Sequence, residues 1–145
     1  MHKIAYTVLF ILGLSTVTFA TNTFSLRVTV DNLRNSKGVV QFALYNKDGT
    51  VPDEKYEKYY KKQTAKIVNG SSSTIFKDLP EGRYAVNILH DEDENGKIDK
   101  GFLLPNEGIG FSNYTSIGLT NKPNFKKASF ELNSDMEKKI KIIYF

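Results

Sequence analysis

Residues 24–30 read Phe-Ser-Leu-Arg-Val-Thr-Val. Phe24, Leu26, Val28 and Val30 alternate with Ser25, Arg27 and Thr29, the period of a strand with one face buried and the other wet. Outward from this stretch the same period recurs. After the turn Asn35-Ser36-Lys37-Gly38, Val39 to Tyr45 (VVQFALY) forms a second strand. Thr64 to Val68 and Ser73 to Phe76 flank the turn signal Asn69-Gly70-Ser71. Asp78-Leu79-Pro80-Glu81-Gly82 is another turn, and Arg83 to His90 (RYAVNILH) follows as the central strand. Ala128 to Leu132 and Lys139 to Tyr144 supply two more. About seven short strands between turn residues predict an all-β fold, an antiparallel β-sandwich.

Two segments depart from this period. Thr50 to Gln63 (TVPDEKYEKYYKKQ) has Thr50 three residues before Asp53, as in a capping box, and Pro52 in the first turn. Glu54 with Lys58 and Glu57 with Lys61 are favourably spaced helical pairs, and Tyr56, Tyr59 and Tyr60 share one helical face. The spacing predicts a short helix inserted between strands. The stretch from Phe102 to Phe125 has little periodicity and several glycines, so it reads as a long loop with a function or a close surface path.

The chain has 145 residues, a formal net charge of +4 and no cysteine. Met1-His2-Lys3 followed by the apolar run Ile4 to Val17 and by Thr18-Phe19-Ala20 has the layout of a cleavable export signal, residues 1–20. The run is shorter than the ~20 residues of a spanning helix, so no membrane span is expected after cleavage. Residues 21–145 are then expected to form one β-sandwich domain, periplasmic or extracellular and monomeric. Without cysteine, packing or a bound metal must stabilise an exported chain. Without Lys3 there are 19 basic and 16 acidic side chains with the signs interspersed, which argues against nucleic acid as a partner.

The densest chemistry is His90 to Phe102, HDEDENGKIDKGF. With Asp91 at position one, Asp93, Asn95 and Asp99 occupy positions three, five and nine, and Gly96 position six. Alternating oxygens around a glycine turn are how an EF-hand-type loop wraps Ca²⁺; the Lys97 carbonyl would serve position seven and Ile98 would anchor the loop on the core. Position twelve, where a bidentate Glu belongs, is Phe102. Glu107, or oxygens around Ser112 and Asn113, could fold back to close the shell; without them binding would be weak, about 10⁻⁴–10⁻³ M. The candidate metal residues are therefore Asp91, Asp93, Asn95, Lys97, Asp99 and Glu107. The competing reading is a solvated hairpin around Asn95-Gly96.

Other constellations are poorer. There is no Gly-x-Ser-x-Gly, and His90 is the single histidine after residue 20. A metal-assisted hydrolase around His90 and the acidic loop is the alternative to a non-enzymatic module; a strand-end histidine that orients the loop needs no nucleophile. The Tyr56, Tyr59 and Tyr60 face among lysines could stack sugars or pack a helix onto the sandwich. The ending Lys139 to Phe145 (KIKIIYF) has lysines on the face a lipid-exposed strand would need apolar, so it reads as a last sandwich strand.

The segment Lys77 to Asn113, KDLPEGRYAVNILHDEDENGKIDKGFLLPNEGIGFSN, resembles a family of small exported bacterial proteins, domain of unknown function 2141. The likeness lies in the Leu-Pro-x-Gly-x-Tyr-Ala-Val strand running into an Asp-x-Asx-x-Asn-Gly-x-x-Asp loop, with NEGIGFSN and PNFKKASFEL after it. It implies export and an immunoglobulin-like or transthyretin-like sandwich, and it supplies no established activity. The expected function is a structural Ca²⁺ site on a module that binds an envelope protein or a glycan.

Overall fold

The computed structural model describes residues 22–145; the expected export signal lies outside them. Eight strands and one short helix run among the described residues. One sheet sets β1 (Thr23–Asp31) between β4 (Ser72–Pro80) and β8 (Met136–Lys141). The second has the order β3 (Lys61–Ala65), β2 (Val39–Tyr45), β5 (Gly82–Asp91) and β6 (Gly108–Phe111), with β7 (Phe130–Leu132) also paired to β5. The pairs are antiparallel except β1 with β8, which run parallel. A purely antiparallel sandwich is corrected in that one pair. The first and last strands share a sheet with β4, while the other five strands between them build the second one.

The alternation in β1 does what its period predicts. Leu26, Val28 and Val30 point into the space between the sheets, against Phe42 and Leu44 of β2 and Val86 and Ile88 of β5. Strands β2 and β5 behave differently, being buried on both faces. Their second face carries Ala43, Tyr45, Ala85 and Leu89, covered by Val51, Tyr56 and Tyr114 from loops and by Phe125 and Ala128 from a short helix. Burying a strand on both sides requires a near-continuous apolar run, which VVQFALY and RYAVNILH supply.

The expected helix at Thr50 to Gln63 does not form. Asp53 is turned inward, where its carboxylate accepts the Tyr45 hydroxyl (3.1 Å) and the N–H groups of Glu57 (3.1 Å) and Lys58 (2.8 Å). Tyr56 sits at φ +53° and buries its ring, and Tyr60 N–H donates to the Leu44 carbonyl at 2.7 Å, drawing the chain toward β3. Tertiary burial of one tyrosine and one aspartate outweighs a weak local preference. Tyr59 and Tyr60 are exposed, so the three rings share no face. The helix present is α1 (Phe125–Ala128), capped by Asn124, whose side chain accepts Lys127 N–H.

Strand β6 lies inside the stretch read as a loop. Gly108 and Gly110 leave it without an alternating side-chain signal, and a methyl group on Gly110 would come within 2.4 Å of the Lys141 carbonyl oxygen. Among the described residues no helix is long and apolar enough to cross a membrane.

Gly38, at φ +64°, lets the turn before β2 pass over the end of β5: an added Cβ would meet the Asp91 carbonyl oxygen at 1.9 Å. Gly38→Ala is expected to cost about 2–3 kcal/mol, from the backbone conformation and the clash together. The midpoint of urea unfolding measures it.

Candidate metal centre

Strand alternation divides the end of β5. His90 follows Val86 and Ile88 into the space between the sheets, while Asp91 follows Asn87 and Leu89 onto the loop-covered face. His90 is fully buried; its Nε2 donates to the Lys37 carbonyl at 3.0 Å, which leaves Nδ1 to accept from the Tyr144 hydroxyl at 2.7 Å. It therefore sits on the other face from Asp91, with Nδ1 3.9 Å from a Glu92 carboxylate oxygen.

The loop leaves β5 and wraps around its own backbone. Asp91 accepts N–H groups from Asn95 (3.1 Å) and Gly96 (2.9 Å), and Asp93 accepts from Asn95 N–H (3.1 Å) and Nδ2 (3.0 Å). Asn95 Oδ1 accepts Lys97 N–H at 2.9 Å, so the Asn95 side chain stitches the turn together. Gly96 takes φ +77°, and its carbonyl accepts Gln41 Nε2 at 3.2 Å. Ile98 packs on the second core cluster, with its N–H on the Glu54 carbonyl at 3.2 Å.

Glu107, buried at the far side, reaches back over the loop. One of its oxygens accepts Glu92 N–H at 2.8 Å and the other faces Asp99 N–H at 3.4 Å. Asp91, Asp93 and Glu107 thus each present a carboxylate oxygen, all within 4.8 Å of one another. Asp99 is outside that trio but contacts Asp93. Ser112 and Asn113 are occupied elsewhere. The Ser112 hydroxyl donates to the Ala128 carbonyl (2.6 Å), and Asn113 Nδ2 to the Ser129 carbonyl (2.9 Å). Phe102 is a fully exposed side chain with no part in the cluster.

The electrostatics are those of crowded acids. Burial pushes the Asp91 carboxyl above its ordinary range, against the Gly96 and Asn95 N–H groups and with the nearby Asp93. Glu107 is likewise raised, by burial first and then by the charges of Asp91 and Asp93. Asp93 is lowered: burial opposes this, but the Asn95 N–H and contacts with Asp99 and Asp91 outweigh it. Beneath the loop the Tyr56 hydroxyl is buried with no hydrogen-bond partner among the described residues. Burial, then Tyr45, Asp53, Asp91 and Glu107, make its proton harder to remove.

Sequence reasoning missed the groups that brace the loop. Arg34 bonds Glu92 (Nε to Oε1, 2.6 Å) and the Asn106 carbonyl (2.9 Å), so one guanidinium holds both arms. Asn35 Nδ2 adds a bond to Glu92 at 3.2 Å. Both residues come from the connection before β2, and no local spacing relates them to the loop.

The braced β5 loop lies within a longer match. Residues 28–141 match the family described as "Uncharacterized protein conserved in bacteria (DUF2141)". The chain belongs to this family. Nothing among curated proteins or solved structures matches it. The DUF2141 match takes in strands of both sheets and the whole acidic loop, so cluster and sandwich fall within one family unit.

Arg34→Ala is expected to cost about 1 kcal/mol, since the guanidinium is partly exposed. Hydrogen exchange should speed up across residues 92–106, while β1 keeps its protection.

Proposed function

We propose that this DUF2141 protein is an exported, non-enzymatic β-sandwich module whose loop holds a structural Ca²⁺ through Asp91, Asp93 and Glu107. Asp99 and the Lys97 carbonyl would complete the oxygen shell, and Asn95 would shape it. The observation that carries this reading is the return of Glu107 to the two aspartates, where it can stand in for the acid missing at Phe102. Three carboxylates packed together, two of them partly desolvated, favour a hard divalent cation. An ion there would fasten the loop to the β5 end and present its outer surface to an envelope protein or glycan. His90 is fully buried with both ring nitrogens bonded, to Tyr144 and to the Lys37 carbonyl, which disfavours a metal-assisted hydrolase built on it.

A site of about 10⁻⁴–10⁻³ M should add about 1.4–2.7 kcal/mol at about 10 mM Ca²⁺, seen as a rise of several degrees in Tm. Asp93→Ala, an exposed position, should abolish the rise and leave the fold intact. An unchanged Tm in both proteins at millimolar Ca²⁺ overturns the reading.

The pH dependence has a definite sign. Asp91 and Glu107 keep their protons to higher pH than ordinary carboxylates, and a protonated carboxyl is a poor ligand. Calcium affinity by titration calorimetry should therefore fall as pH drops from neutral toward their raised values, before ordinary carboxylates titrate.

A further inference from the structure

Two tight turns present apolar side chains to solvent. In the first, Gly101 N–H bonds the Leu104 carbonyl (2.8 Å) and Lys100 bridges to Pro105, leaving Phe102 and Leu103 at the tip. In the second, Asn121 N–H bonds the Gly118 carbonyl (3.1 Å), with Leu119 at the tip. Phe102 is 99% exposed, Leu119 90% and Leu103 79%. Tips of tight turns ordinarily carry Gly, Asn, Asp, Pro or Ser. One Phe and two Leu at these two tips gain nothing from packing in the folded chain, which marks an interaction surface.

Both turns border one apolar cleft of about 560 Å³, lined by Leu103, Leu104 and Leu119 with Ile98 and Ile117 at its floor. Lys100 and Lys122, one at the base of each turn, line the same cleft together with Glu54, a net positive set of side chains. Lys100 is paired with Glu54 at 2.6 Å; Lys122 is in no ion pair among the described residues. A protein partner would need hollows that fit these convex tips, whereas a bilayer accepts any apolar protrusion. Lysines one step behind the tips lie where anionic headgroups would be, with their stems along the apolar surface.

We propose that the Phe102–Leu103 and Leu119 turns insert together into an anionic lipid surface as a reversible anchor, with Lys100 and Lys122 at headgroup depth. The anchor goes beyond the calcium reading and stands without it.

The protein has no tryptophan, so Phe102→Trp or Leu119→Trp in the full chain gives a single reporter. Val68→Trp, exposed but outside the cleft, is the control. With phosphatidylglycerol–phosphatidylethanolamine vesicles in chelator, the first two should shift to the blue and be quenched by brominated acyl chains. The Val68→Trp variant should do neither. Lys122→Gln should weaken vesicle binding about fivefold, and phosphatidylcholine alone should bind less. Unshifted emission at both tips overturns the anchor, even where calcium still raises the Tm. So does an equal shift at all three positions, which reports general adsorption. A shift that follows protein concentration without vesicles also overturns it, in favour of a second copy of the chain.

Discussion

Strand β5 is buried on both faces, and the rest of the molecule is arranged around that constraint. It pairs with β2, β6 and β7, so its backbone groups are satisfied laterally while its side chains are covered above and below. One face meets the three-stranded sheet. The other needs a cover, which the chain provides from the segment after β2, from the acidic loop and from the stretch around α1. Leaving that face wet would expose Ala85, Leu89, Ile109 and Phe111 together, at about 25 cal/mol per Å² of apolar surface.

The cover explains the position of the acids. A loop at the end of a half-wet sheet would extend into solvent, where carboxylates cost little. Here Ile98 and the Gln41 bond to Gly96 draw the loop down onto the sheet, over Asp91 at the end of β5, and Glu107 closes on it from the other side. Burial first, and then the neighbouring acids, raise both carboxyls, and Arg34 on the neighbouring connection ties the two arms without neutralising the trio, since its partner is Glu92. The loop is shaped by backbone N–H groups before any ligand is considered.

Much of the architecture was legible because it depends on short-range pattern. Alternation in β1, the continuous apolar runs of β2 and β5 and the Asn69-Gly70 turn all have one low-energy reading in water. The spacing of Asp91, Asp93 and Asn95 was likewise visible, because a wrapping loop is a local object. Thr50 to Gln63 shows the limit. Its helical pairs are worth a few tenths of a kcal/mol each, less than burying Tyr56 and seating Asp53 on three donors. Strand β6 escaped notice because it is chosen for the absence of side chains, where Lys141 and Tyr144 pass close by.

The strand periods, the two-sheet class and the loop acids can be read along the chain, since each follows from neighbours a few residues apart. The tertiary structure alone decided that β1 and β8 pair in parallel, that His90 and Asp91 part to opposite faces beneath different covers, and that Glu107 rather than Ser112 or Asn113 returns to the aspartates. Each of those outcomes depends on which surfaces meet across the sandwich. Sheet pairing and burial act between residues far apart in the chain, and no spacing along it carries that information.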